Sequence, residues 1–142
     1  MAIQKSKAVE LFWKVHPRLY RWSGGRIGNR LLGLPVLLLT TTGRRSGEPR
    51  TTALTYFPKG EACVVIASYL GEPRNPAWFL NLQKSPQAEI QVGTRRIAVT
   101  AREAEGDERT RLWDEVVSKT RDYAEYQERT ERRIPVVVLE PQ

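Results

Sequence analysis

Arg44, Arg45 and Arg50 fall within seven residues of one another, in a short stretch carrying Gly43 and Gly47. Planar guanidiniums suit bidentate contact with phosphate or carboxylate, and Ser46 and the turn amides add neutral donors. Threonines run into and out of this stretch: Thr40, Thr41 and Thr42 before it, Thr51, Thr52 and Thr55 after it. A solvated hairpin tip can carry the same arginines, but the threonine tract exceeds what solubility asks for and favours a phosphorylated or carboxylated ligand. Side chains for covalent or metal chemistry are scarce. His16 is the only histidine and Cys63 the only cysteine, so a Ser-His-Asp or Cys-His constellation would have to use that one histidine. A zinc site with several histidines is excluded. Cys63 lies in the apolar run 62–67 and reads as a small buried residue rather than a reactive thiol, and it has no disulfide partner. If the chain is an enzyme, its reactive group comes from outside its own side chains.

These residues need a strand, a turn and a second strand to present them. Residues 36–39 are an apolar strand run, residues 40–42 are β-branched, Gly43 and Gly47 permit positive φ, and residues 51–57 form the next strand. A turn over residues 58–61 leads into a third, fully apolar strand over 62–68. Asn75-Pro76 opens a short helix over 77–83, with asparagine at the cap. Residues 88–92 and 95–101 form a hairpin about Gly93-Thr94. A helix over 106–119 is followed by a charged helical stretch over 121–133, which sets Tyr123 and Tyr126 on one face. A last apolar strand covers 134–139. Before all of this, residues 6–21 repeat apolar side chains at helical spacing, with Lys14, Arg18 and Arg21 opposite, and Pro17 predicts a break at His16. Residues 23–33 read as a connector. The pattern predicts an α+β fold: six to seven mainly antiparallel strands in a small barrel with peripheral helices. One domain spans residues 1–142, the helix and connector taking 1–30 and the barrel 31–142.

The formal charge of +7 is unevenly placed. Residues 1–50 hold ten Lys and Arg against Glu10 and Glu48, while the remainder is close to neutral. The anion-attracting face therefore belongs to the first third. No aromatic residues interleave with the arginines of the loop, which argues against nucleic acid. The most apolar run, residues 31–39, is interrupted by Gly33 and Pro35 and falls short of the roughly twenty residues a spanning helix needs. The chain reads as cytoplasmic. Its basic amphipathic N-terminal helix either covers its own domain or makes a peripheral contact with the inner face of the cell membrane.

Four separated pieces carry a resemblance: TTTGRRSGEPR (residues 40–50), NPAWFLNL (75–82), the pair Tyr123 and Tyr126, and IPVVVLEP (134–141). With them the chain resembles the deazaflavin-dependent nitroreductase family, split β-barrel reductases related to the FMN-binding split barrels. These reductases use the 8-hydroxy-5-deazaflavin coenzyme (F-420). The resemblance runs from about residue 32 onward. It implies hydride transfer from the reduced coenzyme to an electron-poor acceptor such as a quinone, enone or nitroaromatic. It implies that Arg44, Arg45, Ser46 and Arg50 clamp the phosphate and glutamate tail. Thr51, Thr52 and Thr55, with Ile66, Ala67, Ser68 and Tyr69, would line the ring and ribityl chain, and Ala77, Trp78 and Asn81 would pack from the short helix. Ser68, Tyr123 and Tyr126 would be the hydroxyl donors at the reacting end, Tyr123 also touching the coenzyme. Two readings stand beside this one: an FMN-dependent reductase of the same fold, and a non-catalytic deazaflavin carrier. Relatives often carry a third tyrosine where Thr120 stands, an aromatic where Thr55 stands, and a small or basic residue where Tyr69 stands. Those departures bear on the acceptor rather than on the coenzyme.

Overall fold

Val36, Leu37, Leu38 and Leu39 are buried in succession, and they place strand β2, Leu34–Thr42, at the centre of the fold. A strand covered on both faces needs an unbroken apolar run rather than alternation. Leu37 and Leu39 point into the main core with Val65, Ile90, Val99 and Leu139. Val36 and Leu38 instead meet Tyr20 of the first helix. In the computed structural model, which describes residues 7–26, 28, 30–31 and 34–142, this helix is α1, Lys7–Ser23. The expected helix start at residue 6 and connector positions 27, 29, 32 and 33 lie outside the described residues. α1 runs through Pro17 as one helix, where the sequence predicts a break. His16 Nε2 lies 2.8 Å from the Gly28 carbonyl oxygen, and Tyr20 is fully buried, so tertiary contacts flanking Pro17 override the local preference.

The remaining strands are β1 (Arg30–Leu31), β3 (Pro49–Thr55), β4 (Phe57–Lys59), β5 (Ala62–Ile66), β6 (Gln87–Val92), β7 (Arg95–Glu103) and β8 (Val136–Pro141). Every pairing is antiparallel, and the path runs β3-β2-β6-β7-β8-β5-β4, with β1 a short addition to β2. The two ends of that path, β3 and β4, are separated in the chain only by Tyr56. One bent strand therefore closes the sheet into a split barrel, as the sequence predicts. The expected single strand over 51–57 breaks at Tyr56, because the chain there leaves β2 for β5. Tyr56 N–H donates to the Pro35 carbonyl at 3.0 Å and marks the bend.

Three more helices complete the structure: α2 (Ala77–Lys84), α3 (Gly106–Lys119) and α4 (Asp122–Glu128). Leu112 and Val116 of α3 and Tyr123 and Tyr126 of α4 build a second core on Phe57, Val64, Ile66, Val136 and Val138. β5 and β8 are thus covered on both faces, which explains their unbroken apolar sequences. α4 is shorter than the helical stretch expected over 121–133. Gln127 explains the stop: its Oε1 accepts from Ile134 N–H at 3.0 Å and its Nε2 donates to the Arg132 carbonyl at 2.7 Å, turning the chain back toward β8. The expected asparagine cap on α2 is also corrected. Pro76 occupies the cap position without a side-chain cap bond, and the Asn75 side chain is bonded elsewhere. β5 stops at Ile66, short of the expected residue 68, and Ala67 and Ser68 lead into a 3-10 turn, Tyr69–Gly71.

Candidate active site

The turn between β2 and β3 is closed by backbone bonds: Gly43 N–H to the Glu48 carbonyl at 2.8 Å, and Gly47 N–H to the Gly43 carbonyl at 2.9 Å. Gly47 has φ 74°, as its expected role requires; Gly43 does not have positive φ. Gly43 is needed for space instead, because a Cβ there would stand 2.7 Å from Ser46 Oγ. Ser46 Oγ accepts from Glu48 N–H at 3.1 Å and from Arg50 Nη2 at 3.5 Å. The arginines divide. Arg45 and Arg50 are exposed at the tip. Arg44 turns inward, its N–H and Nη1 both 3.1 Å from Asn81 Oδ1, while Asn81 Nδ2 donates to Thr41 Oγ1 at 3.0 Å. Lys84 Nζ donates to the Arg44 carbonyl at 2.7 Å. Asn81 is thus consumed in fixing the loop to α2, a part that its residue type did not announce.

The register of β3 on β2 decides which threonines act together. Thr51 pairs with Thr40, Ala53 with Leu38 and Thr55 with Val36, so these share one face, while Thr52 and Leu54 share the other with Leu39 and Leu37. Thr52 is therefore not on the face of Thr51 and Thr55. Thr51 Oγ1 lies 2.8 Å from Thr40 Oγ1, which Arg21 of α1 reaches at 3.4 Å. At the far end Thr55 Oγ1 is hydrogen-bonded to the Tyr123 hydroxyl. From Thr51 to Thr55 the strand rises about 13 Å.

Tyr123 and Tyr126 are buried, not carried on an exposed tail. The Tyr123 ring stands edge-on to Phe57 at 5.9 Å and to Tyr126 at 5.8 Å. Burial pushes its phenol up to about 12, against the opposing pull of the Thr55 hydrogen bond. Ile66 packs in the same cluster, and Ala67 and Ser68 follow it, both buried. Tyr69 lies under the Arg74 guanidinium at 5.9 Å and against Trp13 of α1 at 5.9 Å. α1 thereby packs along the β3 face, with Tyr20 in the cluster that covers Ala53 midway along it and Trp13 beside Tyr69. In α2, Ala77 is exposed, whereas Trp78 packs into the barrel core edge-on to Phe79. A groove of about 510 Å³ opens on Thr40, Thr42, Gly47, Pro49 and Glu89, beside the loop and away from Tyr123. Glu89 is the one charged side chain of its lining, and the groove takes no part at the tyrosines. Cys63 is buried as expected, and burial pushes its thiol up.

The donor set fits an elongated ligand, acidic at one end and ringed at the other. Two exposed guanidiniums stand at the head of β3, hydroxyls line its face, and a neutral phenol among aromatic rings closes its foot. Sequence reasoning missed Arg132, whose guanidinium meets four acceptors around Ser68. In a run of charged residues it reads as solvated, and Asn75, one of its acceptors, reads as a helix cap instead.

Comparison with known proteins finds relatives over most of the chain. The model of a family described as F420H(2)-dependent quinone reductase matches residues 12–141. An F420H(2)-dependent quinone reductase of Mycobacterium tuberculosis is 43% identical over 141 residues, covering 96% of this chain and 94% of the relative. Among solved structures, an F420-H2 dependent reductase (FDR-A) superimposes with a TM-score of 0.68 at 38% identity, over 75% of this chain and 94% of that one. A domain-swapped dimer superimposes with a TM-score of 0.70 at 33% identity, over 95% and 100%. The heme storage protein HutZ of Vibrio cholerae shares the fold alone, at 18% identity and a TM-score of 0.53. A family match that runs from α1 through β8, over the arginine turn and both tyrosines, leaves one conclusion: the chain belongs to the F420H(2)-dependent quinone reductase family.

Proposed function

We propose that this chain passes a hydride from reduced coenzyme F-420 to a quinone, using the β3 face as the seat for the coenzyme. When bound, the reduced deazaflavin supplies the hydride from a ring carbon, so the protein needs no nucleophile of its own. Arg45 and Arg50, with Ser46 and the turn amides, hold the acidic end; Arg44 and Asn81 keep the loop in place. Thr51 and Thr55 offer hydroxyls along the chain of the coenzyme, while Trp78, in the barrel core with Leu37 and Leu39, backs the sheet from its other face. Ile66, Ala67 and Tyr69 border the ring. At the foot of the face, Tyr123 and Ser68 donate hydrogen bonds to the oxygen on which negative charge develops, and Tyr126 buttresses Tyr123. A phenol held up to about 12 stays protonated, and so stays a donor, throughout the physiological range.

The observation that carries this reading is strand β3 itself, with the exposed Arg45 and Arg50 at its head and, at its foot, Thr55 hydrogen-bonded to the buried Tyr123. Titration of the protein with F-420, and separately with FMN, checks it through quenching of the protein's tryptophan fluorescence by the bound cofactor. Saturation by F-420 at micromolar concentration is expected, weakened about a hundredfold in an Arg45→Ala/Arg50→Ala variant. Tighter binding of FMN would overturn the assignment of cofactor.

The place of work follows from α1. Leu11, Val15, Leu19 and Trp22 recur along one side of the helix and are exposed, Trp22 by 81%, with Lys14 and Arg18 exposed beside them. An apolar stripe flanked by cations fits an anionic bilayer surface, the phase in which long-chain quinones dissolve. We read the protein as cytoplasmic and peripheral on the inner face of the membrane; among the described residues no helix is long and apolar enough to cross one.

A further inference from the structure

Ser68 and Tyr69 sit on a turn that the backbone does not favour. Tyr69 (φ 45°), Leu70 (φ 55°) and Gly71 (φ 79°) are all left-handed in succession, and the first two carry side chains. Such a pair persists only where its surroundings over-determine it, and such outliers gather at functional sites. Within the turn Gly71 N–H donates to the Ser68 carbonyl at 2.9 Å and Glu72 N–H to the Tyr69 carbonyl at 3.0 Å. The main constraint comes from outside, from the segment that follows α4.

There Arg132 Nε donates to the Glu72 carbonyl at 2.9 Å, and Nη2 to the Ser68 carbonyl at 2.7 Å. Nη1 donates to the Ala67 carbonyl at 3.1 Å and to Asn75 Oδ1 at 2.8 Å. One planar fork therefore grips both ends of the turn and the residue that introduces α2, a geometry that an ammonium cannot reproduce. Arg129 Nη1 adds a bond to the Leu70 carbonyl at 3.1 Å. Gly71 fits only because it lacks a side chain: a Cβ would stand 2.7 Å from the Tyr126 carbonyl. The turn is thus pressed against the helix that carries Tyr123 and Tyr126.

We propose that Arg132 is the positioning residue of the acceptor end: by clamping the left-handed turn it sets Ser68 and Tyr69 against Tyr123, and so fixes where the quinone sits. It touches neither coenzyme nor acceptor and acts through Ser68 and Tyr69. The inference rests on the function proposed above and adds to it a determinant of acceptor binding separate from the arginine loop.

Three variants of the full chain test it: Arg132→Lys, which keeps the charge but not the fork; Arg132→Ala, assayed with and without added methylguanidinium; and Asn75→Ala, which removes one of the four acceptors. Hydrogen exchange of the backbone over residues 67–72 is read alongside the acceptor KM for a soluble quinone and the fluorescence titration with F-420. In Arg132→Lys, exchange over 67–72 rises about tenfold while β5 and β8 stay protected, and acceptor KM rises about tenfold. F-420 affinity falls by no more than about threefold, because the arginine turn holds most of the coenzyme although Tyr69 borders its ring; methylguanidinium recovers part of the loss in Arg132→Ala, and Asn75→Ala shows a rise of about threefold in exchange and in acceptor KM. Unchanged exchange and KM would overturn the proposal, as would coenzyme affinity falling in step with acceptor binding and no rescue, the pattern of a merely structural residue. If neither Arg132 variant folds, Asn75→Ala decides alone. A wild-type chain that fails to reduce quinones refutes the proposed function, whereas the exchange result still decides the clamp.

Discussion

Thr55 and Tyr123 meet across 68 positions of sequence, and their hydroxyl pair is where the chemistry of the site narrows to one bond. Burial raises the Tyr123 phenol from the ordinary value near 10 to about 12. The folded state therefore holds this proton more tightly than the unfolded chain does, and the linked stability is complete below about pH 10 and lost as pH rises toward 12. The gap is worth about 3 kcal/mol. Tyr20 is pushed up by burial as well, so a comparison of variants is needed to isolate Tyr123. Urea unfolding of the wild type across pH 9 to 12 should steepen its loss of stability above about 10, and Tyr123→Phe should remove the part due to its own proton, about 3 kcal/mol. In acceptor turnover the same variant should lower kcat by about ten- to a hundredfold, with F-420 affinity nearly unchanged. Tyr123 and Tyr126 were legible as a helical pair from their spacing of three. The Thr55 partnership was not, because no local rule joins a strand residue to a helix so distant in the chain. Arg132 was hidden for a related reason: a lone arginine among Arg129, Glu131 and Arg133 gives no sign that it is gripping carbonyls.

At the scale of elements, α2 and the arginine turn behave as one unit. Asn81 is buried and supplies both halves of the joint, accepting from Arg44 and donating to Thr41. Asn81→Ala leaves the buried Thr41 hydroxyl and the Arg44 amide without those partners, a loss of about 2 to 3 kcal/mol in urea unfolding. It should also weaken F-420 about tenfold, although Asn81 itself need not touch the ligand, because the freed turn no longer presents Arg45 and Arg50 together. The turn was legible because glycine, serine and proline carry their own conformational instructions, and α3 spans the residues expected of it. The alternation of Thr51, Thr52 and Thr55 was equally implicit in strand geometry, which splits them between two faces. What local pattern could not supply was the break at Tyr56, where sheet closure rather than residue preference bends the strand. The early end of α4 was similarly out of reach, since a side chain, Gln127, decides it by capturing Ile134.

For the molecule as a whole, closure depends on pairings between residues distant in the chain, Leu39 with Ile90 and Val65 with Val137 among them. An apolar strand in sequence does not name its partner, so the barrel was inferred from the count and order of strands and the strand path only from the structure. The charge asymmetry was legible directly: the basic first third holds both the arginine turn and α1. The exposed stripe of α1 predicts co-sedimentation with anionic vesicles that weakens with salt and is largely lost in a Leu11→Ser/Trp22→Ser variant, whereas neutral vesicles bind poorly. Equal partitioning of variant and wild type would reject a membrane role for that face.

In the proposed function the arginine turn at the head of β3 seats a hydride donor by its acidic end, and the hydride leaves beside a neutral tyrosine at the strand's foot. Anaerobic mixing of the protein with reduced F-420 and a soluble quinone, followed by the return of oxidised-coenzyme absorbance, tests this most directly. The account predicts one quinone reduced per coenzyme oxidised, slowed by Tyr123→Phe at saturating coenzyme and restored in Arg45→Ala/Arg50→Ala only by raising coenzyme concentration. Coenzyme that binds but is never oxidised by any quinone would make the protein a carrier, and the claim would be wrong.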